Sequence, residues 1–260
     1  MTTAEIAIGV AIGLASGILS GLFGVGGGIV MTPGIQVLLG APAIVALATP
    51  LPAILPTALA GALTYHRRGE VDLQAAAWLT PPGLVGAAVG AWATEWIDTT
   101  WLLLVTALLI GYQAIALVTR ADRPGEGRER STSPAALASI GAVAGFVSGL
   151  LGIGGGIVIV PLLAGRLGMP LKRALGTSLL AIVALVIPGT IVHAVLGHID
   201  VGIFLAIVVG AVPGARIGAG IALGTGEGTL RMLVGGFLLV VAIAYAAEQV
   251  SSLLLSLIHI

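Results

Sequence analysis

GLASGILSGLFGVGGGIVMTP, residues 13–33, and GAVAGFVSGLLGIGGGIVIVP, residues 141–161, are two versions of one segment, 128 residues apart and aligned without a gap. The same offset carries Thr49 onto Thr177, Tyr65 onto His193, Gly69 onto Gly197, Asp72 onto Asp200, Gly86 onto Gly214 and Gly90 onto Gly218. A register held over so much chain marks a duplicated unit.

Each copy contains a triple glycine, GVGGG at Gly24–Gly28 and GIGGG at Gly152–Gly156. Every glycine inside a helix costs about 1 kcal/mol relative to alanine. What it gives in return is access to the backbone. A helix broken at the glycines frees the N–H groups that follow, from Ile29 and Ile157 onward, with the positive end of a helix dipole behind them. Broken helices in corresponding positions of two halves point to the substrate site of a transporter. The competing reading is structural: the glycines permit a tight hairpin against a neighbouring helix.

Composition fixes the solvent. Of 260 residues, 58% are hydrophobic and 8% charged, with a mean hydropathy of +1.15. Soluble domains carry about 25% charged residues, so this chain suits a lipid bilayer. Eleven basic and eleven acidic residues cancel, which gives no footing for nucleic acid. The absence of cysteine excludes disulfides and thiolate metal sites, and no metal or cofactor is expected. The opening MTTAEIAIGV has no positively charged n-region and contains Glu5, so it reads as the start of a structural helix.

Apolar stretches of about 20 residues, enough for a ~30 Å core, fall near 44–65, 75–93, 101–119, 174–196, 202–222 and 230–250. Two more, 5–40 and 135–165, are interrupted by the glycine motifs. The expected organisation is a first transmembrane repeat at 1–119, a polar cytoplasmic linker at 120–134 and a second repeat at 135–260. Basic residues cluster at His66–Arg68, in the linker, at Arg166, Lys172 and Arg173, and at Arg231. All lie on the cytoplasmic side only if each glycine motif is the turn of a hairpin and the two halves are inverted. The fold expected is therefore all-α and polytopic, two inverted repeats of one hairpin plus three spanning helices. A continuous kinked helix would instead give parallel repeats.

Other polar residues in the spans divide between function and packing. Gly9, Gly13, Gly17 and Gly21, with Gly141, Gly145 and Gly149, recur every fourth residue and read as close-packing faces. Ser20 and Ser148 could donate to a substrate or bond back to a carbonyl one turn earlier. Thr49, near Pro50, Pro52 and Pro56, and Thr177 with Ser178 and Pro188 are candidates for a pocket or for backbone repair at a kink. Tyr65 and His193 are candidates for a proton relay or for interfacial positions. Arg216 is a charge well inside a span and so a functional candidate by default, with snorkelling as the rival. Trp78, Trp92, Trp96 and Trp101 read as interfacial belt residues.

The doubled pattern G-x-x-S-G-L-x-G-x-G-G-G with a downstream proline resembles the TauE/SafE sulfite-exporter family, also called the TSUP transporters. The matching residues are Gly24, Gly26, Gly27, Gly28 and Pro33, and Gly152, Gly154, Gly155, Gly156 and Pro161. The resemblance implies a multi-pass carrier in the plasma (inner) membrane of a prokaryote, moving small sulfur-containing anions such as sulfite, thiosulfate, sulfonates or organosulfonates. The substrate-binding set expected is Gly24, Gly26, Gly27, Gly28, Ile29, Thr49, Gly152, Gly154, Gly155, Gly156, Ile157, Thr177 and Ser178. Direction of transport, coupling to H+ or Na+, assembly as a homodimer, and carrier against anion channel stay open. A catalytic reading fares poorly. Ser148 in G-F-V-S-G is one residue too long for a G-x-S-G nucleophile turn, and no paired aspartates lie in the spans.

Overall fold

The computed structural model describes residues 2–93, 115, 133–151, 154–237, 239–240 and 243, and among these the regular elements are all helical. The expected span at 101–119, most of the linker, much of 230–250, Gly152, Trp96 and Trp101 lie outside the described residues. The first half contains α1 (Thr3–Phe23), α2 (Gly28–Leu38), α3 (Ala43–Ala48), α4 (Pro50–His66) and α5 (Leu73–Ala93). The second contains α6 (Pro134–Leu151), α7 (Gly156–Pro161, continuing as a π-turn over Leu162–Arg166), α8 (Leu171–Leu185), α9 (Ile187–Val195) and α10 (Val201–Gly224).

Four apolar rods are long enough to cross a bilayer: Thr3–Phe23, Ile44–His66, Leu171–Val195 and Val201–Gly224, of 21 to 25 residues. The second joins α3 to α4 and the third joins α8 to α9. Pro50 and Pro188 interrupt these rods because each lacks an N–H to donate. Thr49 nevertheless keeps helical angles, φ −62 and ψ −33. The proline there leaves out one hydrogen bond within a rod that stays helical. The chain marks helix starts and ends locally. Thr2 and Glu5 form a reciprocal capping box at α1, Asp200 caps α10 at Ile203 N–H, and Lys172 donates to the Leu223 carbonyl at the far end of α10.

The glycine faces explain how the rods meet. A Cβ on Gly13, Gly17 or Gly21 would strike the backbone of Ile207, Ala211 or Ala215 on α10, and one on Gly210 or Gly218 would strike Val10 or Ile18 on α1. These numbers rise together, so α1 and α10 run side by side in the same direction. The counterpart pair behaves identically: Gly141, Gly145 and Gly149 of α6 lie against Leu79, Gly83 and Ala87 of α5. Without a hydrophobic drive between helices in lipid, such backbone contact is the main source of packing energy. The packing-face reading holds, and each face is covered by a helix of the other half.

Two further relationships fix directions. The Tyr65 hydroxyl donates to the Gly21 carbonyl, so α4 and α1 both end at the same level. The α3–α4 rod crosses the α8–α9 rod in the opposite sense, with Gly61 against Leu179 and Gly189 against Leu51. Outside, Trp78, Val85, Val89 and Trp92 of α5 and Leu205, Val209, Ile217 and Ile221 of α10 are exposed in stripes. An apolar exterior of this kind faces lipid tails.

Candidate functional site

At the end of α1 the chain enters the left-handed region at Gly24 (φ 69), Gly26 (φ 86) and Gly27 (φ 85); Gly154 (φ 87) and Gly155 (φ 74) do the same after α6. Residues with a Cβ resist these angles. The triple glycine is thus demanded by a reversal of direction. Gly27 lies against Ser16 and Ser20, and Gly34 against Ile12, so α2 runs back along α1. Gly155 lies against Ala144 and Ser148 in the equivalent way. Both motifs are hairpin turns, and the continuous kinked helix is ruled out.

The turns leave donors unused. Gly27 and Gly155 occupy N-cap positions and bring no side-chain acceptor. The carbonyl of Gly27 accepts from Val30 and Met31, and that of Gly155 from Val158 and Ile159. The N–H groups of Gly26, Gly27, Gly28 and Ile29, and of Gly154, Gly155, Gly156 and Ile157, have no partner among the described residues. A serine or aspartate N-cap would have satisfied some of them from within the chain; glycine leaves them to an outside acceptor. The two tips touch. A Cβ on Gly156 would collide with the Gly24 carbonyl and Val25 Cα, and Gly154 lies against Ile182 and the Val25 carbonyl.

Beside each tip is a buried hydroxyl with nothing to bond. Ser20 is 0% exposed and Ser148 1%, and neither Oγ has a hydrogen-bond partner. Their Cβ atoms lie about one van der Waals contact from the Cβ positions of Gly27 and Gly155. Every other buried hydroxyl among the described residues is engaged: Ser16 and Thr57 bond back along their own helices, and Thr49, Thr177 and Ser178 bond across the molecule. The back-bonding expected as an alternative for Ser20 and Ser148 does not occur. A buried polar group left unsatisfied costs about 1–3 kcal/mol, and it is paid at two equivalent places. No charged residue is buried among the described residues.

The structure sorts the remaining candidates. Ser178 donates to the Gly24 carbonyl at 2.9 Å and so supports the first tip from behind. Tyr65 is fully buried and its hydroxyl donates to the Gly21 carbonyl. Thr49 and Thr177 accept the main-chain N–H groups of Asp200 and Asp72, and neither donates back to a carbonyl of its own helix. His193 faces His198, with Nδ1 atoms 3.2 Å apart, among exposed residues near the end of α9. Arg216 is exposed on the outer face of α10 beside Ile217, so the structure does not bring it to the hairpins. Gly152 is outside the described residues. Sequence reasoning missed Val25, whose backbone lies where the tips meet, and the two aspartates; the offset pairing Thr49 and Asp72 with Thr177 and Asp200 was the available signal for the latter.

Apolar rods packed around two facing glycine-turned hairpins fit a multi-pass membrane protein. The chain belongs to the sulfite exporter TauE/SafE family, whose model matches residues 9–245. It is similar to the probable membrane transporter protein YunE of Bacillus subtilis (29% identical, covering 77% of this chain and 82% of that protein). It is also similar to a probable membrane transporter protein of Xylella fastidiosa strain Temecula1 (28%, 94% and 95%). No solved structure gives a significant match.

Proposed function

We propose that this protein is a secondary carrier of small sulfur-containing anions, and that the substrate sits where the two hairpin tips meet. The observation that carries the reading is the pair of buried, unbonded hydroxyls, Ser20 and Ser148, each beside a turn with free N–H groups. Donors without acceptors, in two equivalent sets, suit a ligand that brings several acceptor oxygens. The geometry speaks for an anion; the sulfur chemistry comes from the family's description as sulfite exporters. We read the halves as inserted in opposite orientations, because equivalent rods cross antiparallel and the basic loops then share one side.

The test is flux in proteoliposomes. Purified protein should accelerate uptake of sulfite or methanesulfonate over protein-free vesicles, with saturation and trans-stimulation. The double variant Ser20→Ala/Ser148→Ala should lose most of that flux, and unchanged flux would remove the tips from substrate binding. Valine at Gly27 and Gly155 is a poorer probe, since a β-branched residue at those positive φ angles disturbs the backbone as well.

A further inference from the structure

We infer that the site between the hairpin tips selects anions carrying a single charge and rejects dianions of the same shape. The inference rests on the substrate reading above and concerns how charge is balanced there. The donors present are main-chain N–H groups and two serine hydroxyls, all neutral. The buried polar side chains among the described residues are Ser16, Ser20, Thr49, Thr57, Ser148, Thr177 and Ser178, with no lysine, arginine or histidine. Arg216, the charge nearest in the sequence pattern, is on the outer face of α10.

Neutral dipoles stabilise charge in proportion to its magnitude, whereas the cost of stripping water from an ion grows with the square of its charge. Doubling the charge therefore doubles the gain and quadruples the cost. The helix ends set the scale: each N-terminus acts as roughly +0.5 of an elementary charge, so those of α2 and the Gly156–Arg166 segment together balance one negative charge and not two. The C-terminal end of α1 reaches the same tip, but two of its last carbonyls, Gly21 and Gly24, are turned onto the hydroxyls of Tyr65 and Ser178. The N–H groups and the Ser20 hydroxyl are the donors left to an anion at the first tip.

Methanesulfonate and methylphosphonate separate charge from shape. Both present a methyl group and three oxygens on a tetrahedral centre. The sulfonate stays a monoanion throughout, whereas the phosphonate passes from monoanion to dianion around neutral pH. In proteoliposomes, methylphosphonate should compete with labelled methanesulfonate in mildly acidic buffer and lose about tenfold or more of its potency in alkaline buffer. Methanesulfonate uptake itself should change little over the same range, and sulfate and ethanedisulfonate should compete weakly throughout. Equal or stronger competition by the dianions would overturn the selectivity while leaving the carrier reading intact. Failure of sulfite and every sulfonate to move above protein-free vesicles would defeat the carrier reading itself.

Discussion

The hydroxyl of Thr177 accepts the main-chain N–H of Asp72 at 2.9 Å, joining the middle of α8 to the start of α5 in the other half. Thr49 repeats the contact on Asp200 at 3.2 Å. Reciprocity of this kind, like that of the glycine faces, is the mark of a self-complementary interface between two equivalent units. Each threonine closes an amide at the beginning of a helix that its own half does not close.

Replacing Thr177 by valine should cost about 1 kcal/mol, the net worth of a part-buried hydrogen bond. Thr49→Val should cost slightly less, the contact being longer. The two ties are at separate places, so the double variant should show close to the sum. Thermal unfolding in detergent, followed by size-exclusion recovery, checks both points; a double variant no worse than either single would show that they act as one.

Ser20→Ala and Ser148→Ala should move stability the other way. Removing a buried hydroxyl that has no partner relieves a penalty of about 1–3 kcal/mol, offset by the small space left behind. The melting temperature should stay level or rise while anion flux falls. A drop in both would mean that the serines serve packing.

Gly17→Leu should disrupt the chain severely, because its Cβ would overlap the Ala211 carbonyl of α10, and Gly145→Leu should do the same against Gly83 of α5. Gly220→Ala, with nothing within 4 Å of the added carbon, should be neutral or gain up to about 1 kcal/mol of helix propensity. Yield of folded protein after membrane extraction reads out the contrast.

Insertion in opposite orientations can be read directly, since the sequence contains no cysteine. Glu70→Cys and His198→Cys are at equivalent positions in the loops that follow α4 and α9. A membrane-impermeant thiol reagent applied to intact cells should label the His198 variant and spare the Glu70 variant. Labelling of both, or of neither until the cells are opened, would favour parallel halves.

The repeat, the helical hairpins and the packing faces were all legible because each is a matter of spacing along one segment. GVGGG and GIGGG permit left-handed backbone at low cost, and glycine every fourth residue marks a smooth face without any partner. What covers that face is not written locally. Nothing in residues 9–21 says that α10, and not α5, lies against them. The same gap explains the misplaced side chains. Arg216 stood out as a charge in an apolar run, but whether a helical residue faces a neighbour or lipid depends on which helix arrives beside it. Thr49 is a candidate for a pocket or for kink repair and Tyr65 for a relay or an interface, and the partners that they take lie far along the chain. Ser20 and Ser148 could be singled out by repeat, while their lack of a partner is a fact of three dimensions only.

The pairing of α1 with α10, and of α5 with α6, also bears on biosynthesis. During translation α1 leaves the ribosome first, yet the surface it needs is supplied by nearly the last rod described. Until then its groove of small residues rests against lipid or an insertion factor. Cutting the chain at its middle would give two fragments with open seams, so assembly of the native form must await the second copy, and a stalled or truncated product would be a natural target for membrane quality control.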